Sequence, residues 1–158
     1  MKVSIICVGK IKEKFYTDAI LEYTKRMKRF ADFQIIEVPD EKIPDNASEK
    51  EKELVKDREG KKILEKLKGD EFVVTLCIEG KTLSSTELAD TIKNAYQNTN
   101  HIAFILGGSL GLSDDAKNKS SLRLSFGRMT LPHQLMRVVL VEQIYRSFMI
   151  NSGATYHK

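Results

Sequence analysis

Residues 124–148, LSFGRMTLPHQLMRVVLVEQIYRSF, decide the fold. The stretch opens as a short apolar strand, turns through Phe126-Gly127-Arg128-Met129-Thr130-Leu131 and meets Pro132. Proline fixes φ and lacks an N–H, so it suits the first turn of a helix and predicts one beginning there. Leu135, Met136, Val138, Val139, Leu140, Val141, Ile144, Tyr145, Phe148 and Met149 spread around most of that helix. A helix apolar nearly all round has to be covered on more than one side, and in a chain this small a second copy is expected to supply part of the cover. His133, Gln134, Arg137, Glu142, Gln143 and Arg146 are the polar exceptions, and a buried helix must find them partners. The stretch reads as a site and a dimer interface together.

Upstream, residues 3–8, 33–38, 71–78 and 101–106 are apolar, β-rich runs that read as strands, and residues 122–126 make a fifth. Gly80 is expected to turn the chain after the third. A helix is predicted over about residues 12–30, with Tyr16, Ile20, Tyr23, Met27 and Phe30 on one face. A second runs from Ser48 to about Leu67, with Leu54, Ile63, Leu64 and Leu67 inward and Gly69 as its stop. A third follows Ser84, with Leu88, Ile92, Ala95 and Tyr96 inward, and a short one follows Ser113. Ser48 with Glu51, and Ser84 with Glu87, have capping-box spacing. Alternating strands and helices predict an α/β fold with a mainly parallel sheet of about five strands and helices on both faces. Residues 1–158 are expected to form one domain. Ligands of such folds gather at the carboxyl ends of the strands, which here are the loops after Leu76, Leu106 and Phe126.

A net charge of +4 fits an anionic partner and fits a solvated lysine surplus equally well. Lys25, Arg26, Lys28 and Arg29 either complement the carbonyl end of the first helix or face RNA. Cys7 and Cys77 sit inside apolar runs and read as small buried hydrophobes. Without CxxC spacing they exclude a zinc site and a disulfide framework, which fits a reducing, cytoplasmic compartment. No apolar run approaches the roughly 20 residues of a membrane span, and the N-terminal run is too short for a signal segment. No His or acidic cluster has metal-ligand spacing, so no metal is expected.

Gly107-Gly108-Ser109-Leu110-Gly111 follows a buried strand but matches neither GxGxxG nor GxxxxGK[ST], which excludes the dinucleotide and P-loop readings. It is either a plain turn or, with Phe126-Gly127-Arg128, one of two loops offering backbone groups to the adenine and ribose of a cofactor. His133 lies where the helix dipole disfavours protonation, so it is either a neutral acid–base group or a satisfied structural histidine. The tail Ala154-Thr155-Tyr156-His157-Lys158 is either a frayed, solvated end or a set of groups that stack on a base and contact phosphate. Glu142 and Arg146 are four apart and can pair.

VGK at residues 8–10, LGGS at 106–109, the whole of 124–148 with its MTLPHQLMR and EQIYR segments, and the terminal ATYHK closely resemble one family. It is that of the small bacterial pseudouridine N3-methyltransferases of large-subunit (23S) ribosomal RNA, in the SPOUT superfamily, and the resemblance covers residues 1–158. It implies a SPOUT fold with a deep C-terminal trefoil knot, which no local signal would have predicted. It implies S-adenosyl-L-methionine, held by Leu76, Gly107, Phe126, Gly127, Arg128, Met129, Thr130 and Leu131. It further implies a homodimer in which the tail of one subunit completes the pocket of the other, acting on a pseudouridine in the assembled ribosome. His133, Arg137, Tyr156 and His157 become the catalytic candidates, with Arg146 and Lys158 as substrate contacts; which of them takes the N3 proton stays open. Two rivals remain, a SPOUT enzyme acting on another RNA and a non-catalytic ribosome-binding factor. A small basic dimer would hold naked RNA weakly, so transfer to whole ribosomes and poor transfer to isolated rRNA is the expectation.

Overall fold

Every residue of HIAFIL is buried, because this strand lies in the middle of a sheet covered on both faces. The computed structural model describes residues 1–158. In chain order the elements are β1 (Lys2–Val8), α1 (Lys14–Met27), β2 (Asp32–Val38), α2 (Glu49–Leu64), β3 (Phe72–Thr82), α3 (Ser85–Ala95), β4 (His101–Leu106), α4 (Asp114–Asn118), β5 (Leu122–Ser125) and α5 (His133–Asn151). The five strands pair in the order β2-β1-β4-β3-β5, and every pairing is parallel.

Successive strand residues point to opposite faces, and the core divides accordingly. On one face Val3, Ile5, Cys7 and Phe104 pack with Met27 of α1, Leu88 and Ile92 of α3, and Leu140, Ile144 and Phe148 of α5. On the other, Ile6, Val8 and Ile105 pack with Ile63 of α2 and Ala116 of α4. Both expected capping boxes form: Ser48 accepts from Glu51 N–H while Glu51 reaches back to Ser48, and Ser84 and Glu87 do the same.

Two expectations change. In α2 the buried face is Val55, Glu59 and Ile63, while Leu54 is 48% exposed. Ile63 lies inward as expected and Leu67 packs against the same core, but Leu54 does not, and Glu59 takes an inward place, which buries a carboxylate. β3 does not stop at Ile78 but runs to Thr82, and Leu76 and Lys81 both pair with Leu124 across a bulge. Gly80 explains the difference. A Cβ there would lie 2.8 Å from the backbone of Arg123 and Leu124, so glycine lets β3 press against β5 rather than end.

α5 lies between α1 and α3, anchored by Phe30 stacked on Phe148 at 5.6 Å and Tyr23 beside Tyr145 at 5.9 Å. Its outward stripe, Leu135, Val138, Glu142, Arg146 and Met149, is half-buried. The C-terminal tail is not splayed into solvent: the Tyr156 ring meets Tyr145 edge-on at 5.1 Å.

Candidate active site

The middle of β3 at Leu76–Glu79, the carboxyl ends of β4 and β5 and the start of α5 form a cleft of about 780 Å³. Leu76, Leu106, Leu124 and Met136 give it apolar walls, and the turns 107–111 and 126–131 give it backbone edges. Gly107 is required by close approach. A Cβ there would lie 2.5 Å from the carbonyl carbon of Gly111, inside the closed turn where Gly111 N–H donates to Gly108 O at 3.0 Å. Gly127 turns the second loop with φ of +113°. A smaller cavity of about 300 Å³ lies beside it, sharing Leu124, Phe126 and Gly127.

His133 begins α5 at the cleft edge, and its Nδ1 is buried without a hydrogen-bond partner. Burial and the nearby Arg137 guanidinium pull this imidazole below the ordinary histidine value, and Asp40 pushes back. The ring is thus neutral at neutral pH, and its Nδ1 is an unpartnered buried nitrogen.

The cleft brings together Leu76, Gly107, Phe126, Gly127, Met129, Thr130, Leu131 and His133. Arg128, in the same loop, is exposed and does not line it. Arg137 is 1% exposed, and its donors are occupied. Nη2 donates to Val8 O at 2.7 Å and Gly9 O at 2.8 Å, and Nη1 to Glu37 Oε2 at 3.0 Å. It ties the start of α5 to the ends of β1 and β2, a role different from the catalytic one expected of it. Arg146, Tyr156, His157 and Lys158 do not line the cleft either. From residue 133 to residue 146 a helix advances about 20 Å, which keeps the two groups apart within one chain.

The tail group is itself organised. Glu142 Oε1 accepts from Arg146 Nη2 at 2.6 Å and from Tyr156 Oη at 3.1 Å, and Arg146 Nη1 lies 3.1 Å from His157 Nδ1. Burial, with hydrogen bonds to Tyr23 and Glu142, pushes the Tyr156 phenol up to about 12. Lys158 is exposed.

Sequence spacing missed Lys56, Glu79 and Lys117, which line the cleft, with Lys117 Nζ paired to Glu79 at 2.5 Å. They come from three elements, and no local pattern joins them. Cys77, expected buried, is half-buried at the cleft wall. Asp70, Glu71 and His101 also converge, at the opposite ends of β3 and β4, which spacing could not reveal. Two of the three are already engaged: Glu71 accepts from Lys68 and Gly69 N–H, and His101 Nε2 lies 2.6 Å from Ser4 Oγ. No helix is long and apolar enough to cross a membrane.

Residues 1–157 match the family model described as "Predicted SPOUT methyltransferase". The chain belongs to the SPOUT methyltransferase family. Over its full length, and the full length of each relative, it is 57% identical to the ribosomal RNA large subunit methyltransferase H of Lactococcus lactis subsp. cremoris and 52% identical to that of Clostridioides difficile. Among solved structures, a probable methylase family protein from Haemophilus influenzae aligns with a TM-score of 0.55 and 13% identity, over 99% of this chain and 70% of the other. The tRNA (m1G37) methyltransferase of Aquifex aeolicus aligns with a TM-score of 0.51 and 12% identity, over 92% and 70%. At those identities the two structures show a shared fold alone; membership of the family rests on the matched model and the full-length relatives.

Proposed function

We propose that this chain is a cytoplasmic, single-domain enzyme that methylates N3 of a pseudouridine in large-subunit ribosomal RNA, within the assembled ribosome, using S-adenosyl-L-methionine. The observation that carries the reading is the cleft at the strand ends, closed by two glycine turns and edged by a neutral histidine with an unpartnered buried nitrogen. The full-length relatives named for ribosomal RNA methylation support the substrate class.

The cleft residues fit the cofactor. Its volume lies in the range of small-molecule sites. The apolar walls suit a purine, and nothing lies within 4 Å of where a Gly127 side chain would stand, which leaves that turn's backbone open to it, while the bare Gly107 keeps the first turn closed on Gly111. Leu76, Gly107 and the run 126–131 would hold it, with Arg128 contributing through its backbone. When bound, the cofactor supplies an electrophilic methyl group on a sulfonium.

N3 of the base carries an imide proton, which must leave as the new N–C bond forms. His133 is the group proposed to accept that proton, being held toward its neutral form with Nδ1 unpartnered. Tyr156 remains a phenol at working pH and acts as a hydrogen-bond donor rather than a base. Arg146, His157 and Lys158 give the acceptor nucleotide cationic and stacking partners. Arg137 acts indirectly, by fixing the start of α5.

Cleft and tail lie far apart along one α5, so the working site takes the cleft from one protomer and the tail from another. The half-buried outer stripe of α5, with Phe15 and Leu21 of α1 more than half exposed, offers the surface for such a homodimer. The C-terminal segment is proposed to be threaded as a deep trefoil knot. The test is methyl transfer from labelled cofactor to ribosomes lacking the modification, followed by nucleoside mapping. Label in N3-methylpseudouridine from whole ribosomes, with little transfer to isolated rRNA, is expected. Equal rates on both would remove the ribosome from the reading, and label in another nucleoside would remove the base.

A further inference from the structure

Glu142 stands on the outer stripe of α5, away from the sheet, where Leu140, Val141 and Ile144 do the packing. Its surroundings are unusual for such a position. One oxygen, Oε1, receives three donors: Arg146 Nη2 at 2.6 Å, Arg146 Nε at 3.1 Å and Tyr156 Oη at 3.1 Å. The other, Oε2, accepts from Gln143 Nε2 at 2.8 Å. Arg146, so held, lies with its guanidinium carbon 4.8 Å from the Tyr156 ring centre and Nη1 3.1 Å from His157 Nδ1. Arginine only donates, so the accepting Nδ1 is unprotonated and the ring carries its proton on Nε2.

We propose that Glu142 is the positioning residue of the tail: it fixes Tyr156 directly and His157 through Arg146, in the pose that presents them to the acceptor nucleotide. This rests on the reading that the tail takes part in methyl transfer. An isolated i,i+4 pair at a helix surface contributes little to stability, so helix maintenance does not require this hub. What the hub changes is freedom. Five residues after the end of α5, a chain terminus would sample many orientations, and the two bonds that reach the tail, Tyr156 Oη to Glu142 and Arg146 Nη1 to His157 Nδ1, select one of them. The carboxylate also neutralises Arg146, so a Glu142 variant leaves a freer cation that retains or strengthens phosphate binding while losing alignment.

The experiment compares Glu142→Ala, Glu142→Gln, Tyr156→Phe, truncation after Thr155, and Glu142→Ala combined with the truncation, on ribosomes lacking the modification. Glu142→Ala is expected to lower kcat by about tenfold or more, the scale of lost hydrogen bonds to a charged group, with KM for ribosomes not raised. Cofactor affinity and melting temperature should stay near those of the unsubstituted chain. Glu142→Gln, which keeps an acceptor for Tyr156, should recover part of the loss. In the truncated background Glu142→Ala should add nothing, because both changes remove the same alignment. Additive losses, or a raised KM with unchanged kcat, would overturn the proposal, as would a kcat for Glu142→Ala equal to that of the unsubstituted chain while truncation abolishes transfer. Full activity of the truncated chain would instead remove the tail from the proposed function, and the positioning role with it. If Glu142→Ala does not fold, Glu142→Gln and Tyr156→Phe carry the same comparison.

Discussion

At the scale of single residues, His133 and Arg137 stand four apart on α5 and have opposite fates. The guanidinium is spent on Val8 O, Gly9 O and Glu37, whereas the imidazole keeps a buried nitrogen without a partner. The buried cation also lowers the proton affinity of the histidine, which burial had already reduced. A general base works in its neutral form, and this one has a pKa below the ordinary value of about 6.5. Methyl transfer should therefore be flat from neutral pH down to about 6.5 and fall only below it. A single-turnover pH profile on ribosomes checks this, and an acid limb lying above that value would exclude His133 as the base. His133→Ala should lower kcat by about 10²-fold or more while cofactor binding, read by calorimetry, is retained. His133 was legible because Pro132 marks a helix start and a histidine just inside it meets the dipole. Arg137 was not, since its partners lie 128 and 129 positions away in sequence.

Among elements, the strands and capping boxes could be read from local chemistry because burial and capping act over a few residues. The registers that failed are those decided by a neighbour. α2 turns Val55 and Glu59 inward rather than Leu54, because it packs against α4 and the glycine turn. A Cβ on Gly60 would lie 2.1 Å from Ser113 Oγ, and one on Gly108 would lie 3.2 Å from Glu59 Oε1. β3 continues past Ile78 because β5 accepts its backbone at Gly80. The turn 107–111 carries the sharpest prediction at this scale. Gly107→Ala forces a methyl group against the Gly111 carbonyl, so the turn has to open. Cofactor affinity should fall by about tenfold or more while far-UV dichroism keeps its shape, since the sheet and its helices lie outside the turn. Calorimetric titration with S-adenosyl-L-methionine checks it, and unchanged affinity would detach this turn from the cofactor.

For the molecule as a whole, the sheet order and the two core layers follow from alternating patterns, but the site does not. The residues singled out from sequence fall into two groups that one chain keeps apart, the cleft with His133 and the tail with Tyr156 and His157. Lys56, Glu79 and Lys117 reach the cleft from α2, β3 and α4, a convergence made by topology alone. The apolar girth of α5 is the sequence's ground for expecting a second copy, and its half-buried outer stripe is the surface the proposed homodimer would use. The most direct measurement is complementation between two disabled chains, His133→Ala and the truncation after Thr155, co-expressed with different tags and purified as the mixed dimer. A site shared between protomers predicts that each homodimer is nearly inactive and that the mixed dimer, holding one intact cleft opposite one intact tail, recovers about half the activity of the unsubstituted dimer. A mixed dimer no more active than either parent would contradict it.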